Sequence, residues 1–183
     1  MHPPGGRYGK QQIGLDGGAR TYENPCLMAK ERTGTVYFED VSAGDTFQTG
    51  EVTVTREMIK EFARAYDPQP IHIDEEAAKK GFFGELVGSG WHTAALTMKL
   101  MAEAAPLGDT PMIGLEVRNF KFLAPLKPGM TLSADGQVAK ARRSKSNPNI
   151  GFIYVDVITK TNAGEPILTQ TWTVILPVKN PEN

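Results

Sequence analysis

Apolar residues recur at helical spacing through the first half of the chain, in segments that each begin with a residue able to cap a helix. Thr55 caps a predicted helix that ends at Tyr66 and places four apolar residues on one face: Met58, Ile59, Phe62 and Ala65. Asp74 caps a short second helix over residues 75–80, which Gly81 closes. The first half of the chain is therefore predicted to be helical.

The third predicted helix is the longest. Ser89 caps it, and it runs from about residue 90 to residue 105, ahead of Pro106. Almost every residue in its first half is apolar or small, and apolar side chains surround its axis: Ala94, Ala95, Leu96, Met98 and Leu100. A helix that is apolar all round is buried, so we expect this one at the centre of the fold.

The second half of the chain is rich in Val, Ile, Thr and aromatic residues. These fall in four stretches separated by turn residues: 113–123, 130–143, 150–161 and 166–178. Residues 162–165 predict a hairpin turn, and residues 52–54 predict a short strand before the first helix. Short connections imply an antiparallel sheet, and the buried helix before it implies a sheet curved around that helix. The predicted class is α+β.

The first 34 residues differ in composition from the rest. Gly and Pro are frequent there and no apolar periodicity is present, so burial cannot offset the entropy of ordering. We expect residues 1–34 to be a disordered leader or N-terminal extension, and residues 35–183 to form the folded domain. With 183 residues and 40% hydrophobic content, the chain can bury one substantial core but hardly two.

Charge and cysteine content narrow the setting. The formal net charge is −1, which gives no general attraction to nucleic acid or membrane. Cys26 is the only cysteine, which excludes an intrachain disulfide framework and fits a reducing compartment. No apolar run approaches the roughly 20 residues that span a bilayer, and the first 30 residues lack the apolar stretch of a secretory signal. A cytoplasmic protein is expected.

The segment from Tyr66 to His72 carries the most informative chemistry. Asp67 and His72 lie five residues apart, and Pro68 and Pro70 restrict the backbone between them and disfavour helix. Such a loop can hold a carboxylate and an imidazole for acid–base chemistry on a water molecule. On spacing alone, the favoured interpretations are an Asx turn for Asp67 and an ordinary loop histidine for His72.

These residues resemble the signature of the MaoC-like dehydratases, which include the (R)-specific enoyl-CoA hydratases and have the hot-dog fold. The signature is Asp, two residues, Pro, one residue and His, followed by a Gly that opens the central helix; here these are Asp67, Pro70, His72 and Gly90. The resemblance covers residues 37–178. Gln69 departs from it, where Asn is usual, and so does Tyr66, where a smaller residue is common.

The resemblance implies reversible hydration of a 2-enoyl thioester to an (R)-3-hydroxyacyl thioester. Asp67 would take a proton from water, and His72 would hold that water and take part in the proton transfers. The backbone N–H of Gly90 would donate to the thioester oxygen at the positive end of the helix. No cofactor is implied, because the CoA thioester is the substrate.

Two further polar residues lie near this signature. Ser89 is most simply an N-cap, with a supporting role near the substrate carbonyl. His92 lies at the helix N-terminus, where the neutral form is favoured, and is expected to make a core or dimer contact rather than to act in catalysis. No carboxylate or cysteine lies at ligand spacing with His72 and His92, so a metal is not expected.

Two other groups keep alternative interpretations. A short basic cluster is either a solvated loop or a contact for the phosphates of CoA: Arg142, Arg143 and Lys145. A set of aromatic and Met residues either lines an acyl tunnel or belongs to the core: Phe82, Phe83, Trp91 and Met112.

The expected partners follow from the resemblance and from the open edge of a hot-dog sheet. An exposed edge strand needs cover, so we expect a homodimer or a higher assembly of dimers. The thioester could be carried by CoA or by an acyl-carrier protein. Two alternatives to the hydro-lyase remain: a hot-dog acyl-CoA thioesterase, disfavoured because residues 90–102 contain no acidic side chain, and a non-catalytic acyl-thioester binding protein.

Overall fold

The computed structural model describes residues 32–181. In chain order its strands and helices are β1 (Thr46–Gln48), β2 (Val52–Thr53), α1 (Arg56–Tyr66), α2 (Pro70–Ile73), α3 (Glu75–Lys80), α4 (Gly90–Ala104), β3 (Ile113–Phe122), β4 (Thr131–Arg143), β5 (Ile150–Thr161) and β6 (Pro166–Pro177). A single 3₁₀ turn, Phe38–Asp40, precedes β1. Most of the predicted leader, residues 1–31, lies outside the described residues, so the leader and its boundary stay predictions.

The six strands form one curved antiparallel sheet in the order β1-β4-β5-β6-β3, with β2 also paired to β4. The four predicted strands and the α+β class are confirmed, and Gly164 at φ +81° forms the predicted turn between β5 and β6. The pattern did not predict β1, because three residues with one buried side chain give no alternation to detect. Among the described residues β3 has no strand beyond it, so it is an edge.

Local capping explains where the helices begin. The Thr55 hydroxyl accepts a hydrogen bond from the Met58 N–H at 3.1 Å. The Asp74 carboxylate accepts from two N–H groups in the first turn of α3, at 2.8 and 3.2 Å. The Ser89 hydroxyl accepts from the Trp91 N–H at 3.2 Å. All three predicted caps are confirmed, because a cap depends on only three or four neighbouring residues.

Two local predictions are wrong. The buried face of α1 holds Ile59 and Ala63, whereas Ala65 is exposed. The segment after α1 is not purely a loop, because His72 lies on the one-turn helix α2, which begins at Pro70. Proline is compatible with the first turn of a helix, where no backbone N–H is needed.

The central helix α4 is buried on one face only. The buried side chains pack against the sheet and the neighbouring helices: His92, Thr93, Leu96, Thr97, Leu100 and Met101. An apolar stripe on the opposite face is exposed: Trp91, Ala95, Met98 and Ala102. The prediction of burial all round is therefore wrong for a single chain, because one curved sheet covers only one side of a helix.

Two apolar clusters form the core. One lies between the sheet, the 3₁₀ turn and the end of α4, and includes Phe47, Met101, Val155 and Trp172. The other joins α1, α3 and α4 to the first residues of β4 and β6, and includes Ile59, Leu100, Leu126 and Leu132. Leu126 brings this second cluster to the edge of the cleft described below.

Candidate active site

Asp67 follows the last residue of α1 and is held by donors from two directions. The Gln69 side-chain amide donates to Asp67 Oδ1 at 2.7 Å. A hydrogen bond from the Ser89 hydroxyl is the main reason that the pKa of Asp67 lies below its ordinary value, with the Gln69 hydrogen bond next and burial opposing both. Asp67 is therefore an ionised hydrogen-bond acceptor at neutral pH.

His72 is buried and its tautomer is fixed by a backbone group. Its Nδ1 lies 2.8 Å from the Val87 carbonyl oxygen. A carbonyl only accepts hydrogen bonds, so Nδ1 carries a hydrogen, and in the neutral ring Nε2 is left as an acceptor. Val87 is a partner that the sequence did not indicate, because the contact joins residues 15 apart through the loop after α3.

The two predicted catalytic side chains meet across one edge of the cleft. His72 Nε2 lies 3.4 Å from Asp67 Oδ2, and their side chains are 7% and 20% exposed. When His72 is neutral, both facing atoms are acceptors, so a molecule that donates two hydrogens, such as water, satisfies both. The pair can therefore polarise a water molecule and take a proton from it.

Gly90 begins α4 beside this pair. The N–H groups of the first helical turn have no intrahelical acceptor and lie at the positive end of the helix dipole. The ring of Phe122 packs directly against Gly90, so that a Cβ placed at residue 90 would lie 2.6 Å from Phe122 Cε1. Glycine at this position leaves the backbone N–H accessible and allows β3 to approach closely, a contact that the sequence did not predict.

A cleft of about 430 Å³ holds these groups together. Asp67, Gln69, His72 and Ser89 supply its polar side chains, and Gly90 lies on its wall. The apolar walls come from α4, the end of β3 and the two loops beside them, and include Phe83, Trp91, Phe122, Leu123 and Leu126. A mostly apolar cleft with a few convergent polar groups is the usual form of a small-molecule site.

Other candidate residues lie away from this cleft. Phe83 and Trp91 line it, but Phe82 does not, and Met112 packs against the first core cluster. The four residues that could line an acyl tunnel are therefore only partly brought together at the cleft. His92 is buried and stacks on Phe62 with ring centroids 4.6 Å apart, and burial lowers its pKa to about 4.

The basic cluster lies at the other end of the sheet. Arg142 pairs across the sheet with Phe152, Phe152 with Ile175, and Ile175 with Ile113, the first residue of β3. The cleft adjoins Phe122, the last residue of β3. At ~3.3 Å per residue, the two ends of β3 lie on the order of 30 Å apart. The guanidinium of Arg142 packs over the Phe152 ring at 4.6 Å.

The other two residues of the basic cluster are either paired with another side chain or exposed to solvent. Arg143 forms a salt bridge with Glu39 at 2.7 Å, and Lys145 is exposed in the loop after β4. Within one chain, therefore, the basic cluster does not reach the cleft.

The described part of the chain lacks two other kinds of site. Between residues 32 and 181, no three His, Cys, Asp or Glu side chains converge as metal ligands. In the same residues, no helix is both long enough and apolar enough to cross a membrane.

A family model described as "MaoC like domain" matches residues 40–161, two thirds of the chain. The chain belongs to the MaoC-like family. YdeM, an uncharacterized protein of Bacillus subtilis, is 36% identical to this MaoC-like chain over 90 residues, which are 49% of the chain and 64% of YdeM. The chain therefore matches somewhat less than two thirds of that relative's length.

Solved structures share the hot-dog fold. The MaoC-like dehydratase from Rhodospirillum rubrum is 35% identical, with a TM-score of 0.74, covering 79% of this chain and 99% of that one. The (R)-hydratase PhaJ1 from Pseudomonas aeruginosa is 19% identical, with a TM-score of 0.64, covering 79% of this chain and 88% of that one, and shows the fold alone. The chain is thus a MaoC-like protein with the hot-dog fold.

Proposed function

We propose that this protein is a hydro-lyase that reversibly hydrates a 2-enoyl thioester to an (R)-3-hydroxyacyl thioester. The observation that carries the proposal is the Asp67–His72 pair, 3.4 Å apart, beside the first N–H groups of α4 in one cleft. Family membership supports the reaction type, and the geometry of the pair supports the roles of the residues.

The proposed reaction uses the groups in the order in which they surround the cleft. Water donates one hydrogen to Asp67 and the other to His72 Nε2, and its oxygen attacks C3 of the enoyl group. One proton passes to the Asp67–His72 pair, and the negative charge moves to the thioester oxygen, where the Gly90 N–H donates to it. The pair then delivers a proton to C2, which restores both residues and adds one water overall.

The reaction as proposed needs only acid–base groups, so we propose no cofactor. Ser89 acts through Asp67, because its hydroxyl donates to that carboxylate. Ser89 also caps α4 and thereby orients the Gly90 N–H.

We also propose a homodimer formed through β3 and the exposed stripe of α4. Nearly all of β3 is exposed, and it carries apolar side chains that include Ile113, Leu115 and Val117, between 52% and 62% exposed. An edge strand of this kind has unpaired backbone groups that a second copy can pair. In a two-fold dimer the same strand meets itself, so the two β3 strands would run antiparallel.

This dimer gives the basic cluster a place in the reaction. Antiparallel pairing sets the start of one β3 beside the end of the other. Arg142 of one subunit then lies level with the end of its partner's β3 that adjoins the cleft. Four strand spacings, on the order of 19 Å, separate Arg142 from that strand. We propose that Arg142, Arg143 and Lys145 contact phosphates of a CoA or carrier-bound thioester in the partner's cleft.

A substrate without phosphates tests this contact. Replacing Arg142 and Lys145 with Ala should raise KM for an enoyl-CoA with little change in kcat, and leave an N-acetylcysteamine thioester unaffected. Lys79→Ala, on α3, is the matched control for loss of a surface charge. An unchanged KM in the double variant would show that the basic cluster does not contact the substrate.

The cytoplasmic location stays a prediction.

The reaction itself is tested by the absorbance of the enoyl thioester. Purified protein should remove the enoyl band of crotonyl-CoA without releasing free thiol, and Asp67→Asn and His72→Ala should each lower the rate by about a hundred- to ten-thousand-fold. Thiol release would instead indicate a thioesterase. Binding of the thioester without turnover would indicate a binding protein, and either result would overturn the proposal.

A further inference from the structure

Two stacked rings join the end of α1 to the start of α4. The imidazole of His92 lies face to face on the ring of Phe62, with centroids 4.6 Å apart and an interplanar angle of 7°. The Tyr66 ring packs on the same Phe62 ring, with centroids 5.0 Å apart, from the last residue of α1. Neither His92 nor Phe62 is among the residues that line the cleft, so a substrate in the cleft does not touch the stack.

The stack lies close to both partners of the hydrogen bond between Ser89 and Asp67. The Asp67 N–H donates to the Ala63 carbonyl at 2.9 Å, which fixes Asp67 to the last turn of α1, just after Phe62. The His92 N–H donates to the Ser89 carbonyl at 3.0 Å in the first turn of α4. Each partner of the hydrogen bond is therefore tied to a helix end that carries one of the stacked rings. A shift between the rings becomes a shift between Ser89 and Asp67.

His92 contributes the face of its ring to this contact. Its side chain is buried, and among the described residues its Nδ1 has no hydrogen-bond partner. Stacking requires a flat ring, which an aliphatic side chain of similar size does not provide. The two helices also meet in the second core cluster, where Ile59 lies with Leu96 and Leu100, farther along each helix from the site. The aliphatic contacts join the bodies of the helices, and the stack joins the ends that carry the site.

We propose that His92 is a positioning residue for Asp67 and acts by stacking on Phe62. The stack holds the start of α4 against the end of α1, at the separation at which Ser89 donates to Asp67. The inference rests on the proposed hydration of enoyl thioesters and adds a residue that acts through Ser89 without touching the substrate. It also gives a role to Tyr66, at a position where the family signature commonly has a smaller residue, because Tyr66 supports the Phe62 ring.

The test compares two replacements of His92 that fill similar space. His92→Phe keeps a flat ring against Phe62, and His92→Leu does not. With crotonyl-CoA, His92→Leu should lower kcat by about ten- to a hundredfold with little change in KM, because a misplaced acid–base group slows the chemical step without weakening binding. His92→Phe should keep kcat within about threefold of the wild type, because it preserves the stack.

A second comparison shows whether His92 acts through Ser89. In a Ser89→Ala protein the hydrogen bond to Asp67 is already absent, so adding His92→Leu should lower kcat by less than about threefold. Ile59→Val is the matched control for lost packing between α1 and α4. It should lower the melting temperature and leave kcat unchanged.

The outcomes separate this inference from the proposed function. An unchanged kcat in folded His92→Leu, an equal loss in His92→Phe, or the same loss with and without Ser89→Ala would each overturn the role of His92 while the hydration stands. If His92→Leu does not fold, Phe62→Leu removes the stack from the other side and takes its place in both comparisons. A wild type that hydrates no enoyl thioester would overturn the proposed function, and this inference with it.

Discussion

Replacing Ser89 with Ala should change both the acid limb of the pH profile of kcat/KM and the stability of the fold. The Ser89 hydroxyl accepts a hydrogen bond from the Trp91 N–H at the start of α4 and donates one to Asp67. The residue is 1% exposed, so water does not readily replace either bond. A single substitution therefore removes a helix cap and a catalytic contact together.

The expected loss of stability follows from these two bonds. An N-cap replaced by Ala costs about 1 kcal/mol, with a range of roughly 0.5–2. Because the hydrogen bond to the ionised Asp67 is lost as well, we expect about 2 kcal/mol for Ser89→Ala. For a chain of this size that lowers the melting temperature by about 4–8 °C.

The effect on activity has a definite sign. The Ser89 hydrogen bond is the largest cause that lowers the pKa of Asp67, so its removal raises that pKa. The acid limb of kcat/KM reports the ionisation of the base in the free enzyme, so it should move to higher pH in Ser89→Ala. Ionised Asp67 stabilises the wild-type fold above its unfolded pKa of 3.8, a contribution lost as the pH falls through its folded pKa.

Thr55→Ala is the matched control. Thr55 also caps a helix, with the Met58 N–H at 3.1 Å, but it is not among the groups that shift the pKa of Asp67. It should cost about 1 kcal/mol and leave the acid limb in place. Rates from pH 3 to 8, a range that extends below the ordinary Asp67 pKa of 3.8, and thermal unfolding of both variants complete the comparison. An acid limb that moves in neither variant would show that Ser89 is only a cap.

Three further predictions concern other parts of the fold. Burial lowers the pKa of His92 from 6.5 to about 4, so the wild type should lose about 3 kcal/mol of unfolding free energy as the pH falls from 6.5 to 4. His92→Phe should not show this loss, and urea unfolding at several pH values measures both proteins. Gly90→Ala should lower the melting temperature in thermal unfolding, because its Cβ would meet the Phe122 ring, and Phe122→Ala in the same chain should restore part of the loss. Val117→Lys, on the apolar face of the edge strand, should convert a dimer to a monomer in light scattering, whereas Glu116→Lys on the other face should not.

Features of the fold that depend on a few neighbouring residues could be predicted from the sequence. Thr55, Asp74 and Ser89 each cap a helix as expected, and the four long strands occur where β-branched residues are dense. The buried face of α1 could not be placed, because Ala63 and Ala65 are equally apolar and only the position of α4 decides between them.

The site was predictable in its residue types but not in its hydrogen bonds. Asp67, His72 and Gly90 come together as the signature implies. The Val87 carbonyl, which fixes the His72 tautomer, could not be predicted, because any backbone carbonyl can fill that role. The Phe122 ring over Gly90 depends on where β3 ends relative to α4, which is a matter of tertiary packing.

An antiparallel backbone bridge between Gly88 and Leu126, in which the Gly88 N–H donates to the Leu126 carbonyl at 2.7 Å, connects these observations. The site residues lie at three helix ends: Asp67 after α1, His72 on α2, and Ser89 and Gly90 at the start of α4. Local caps place each residue on its own helix, but they do not bring the helices together. The bridge fixes residues 87–90 against the loop after β3, which positions the Val87 carbonyl for His72 and the Phe122 ring over Gly90. The bridge is therefore the contact that assembles the acid–base pair, so Leu126→Ala, which removes the side chain packed on Gly88, should lower the hydration rate, and an unchanged rate in the folded variant would contradict this role.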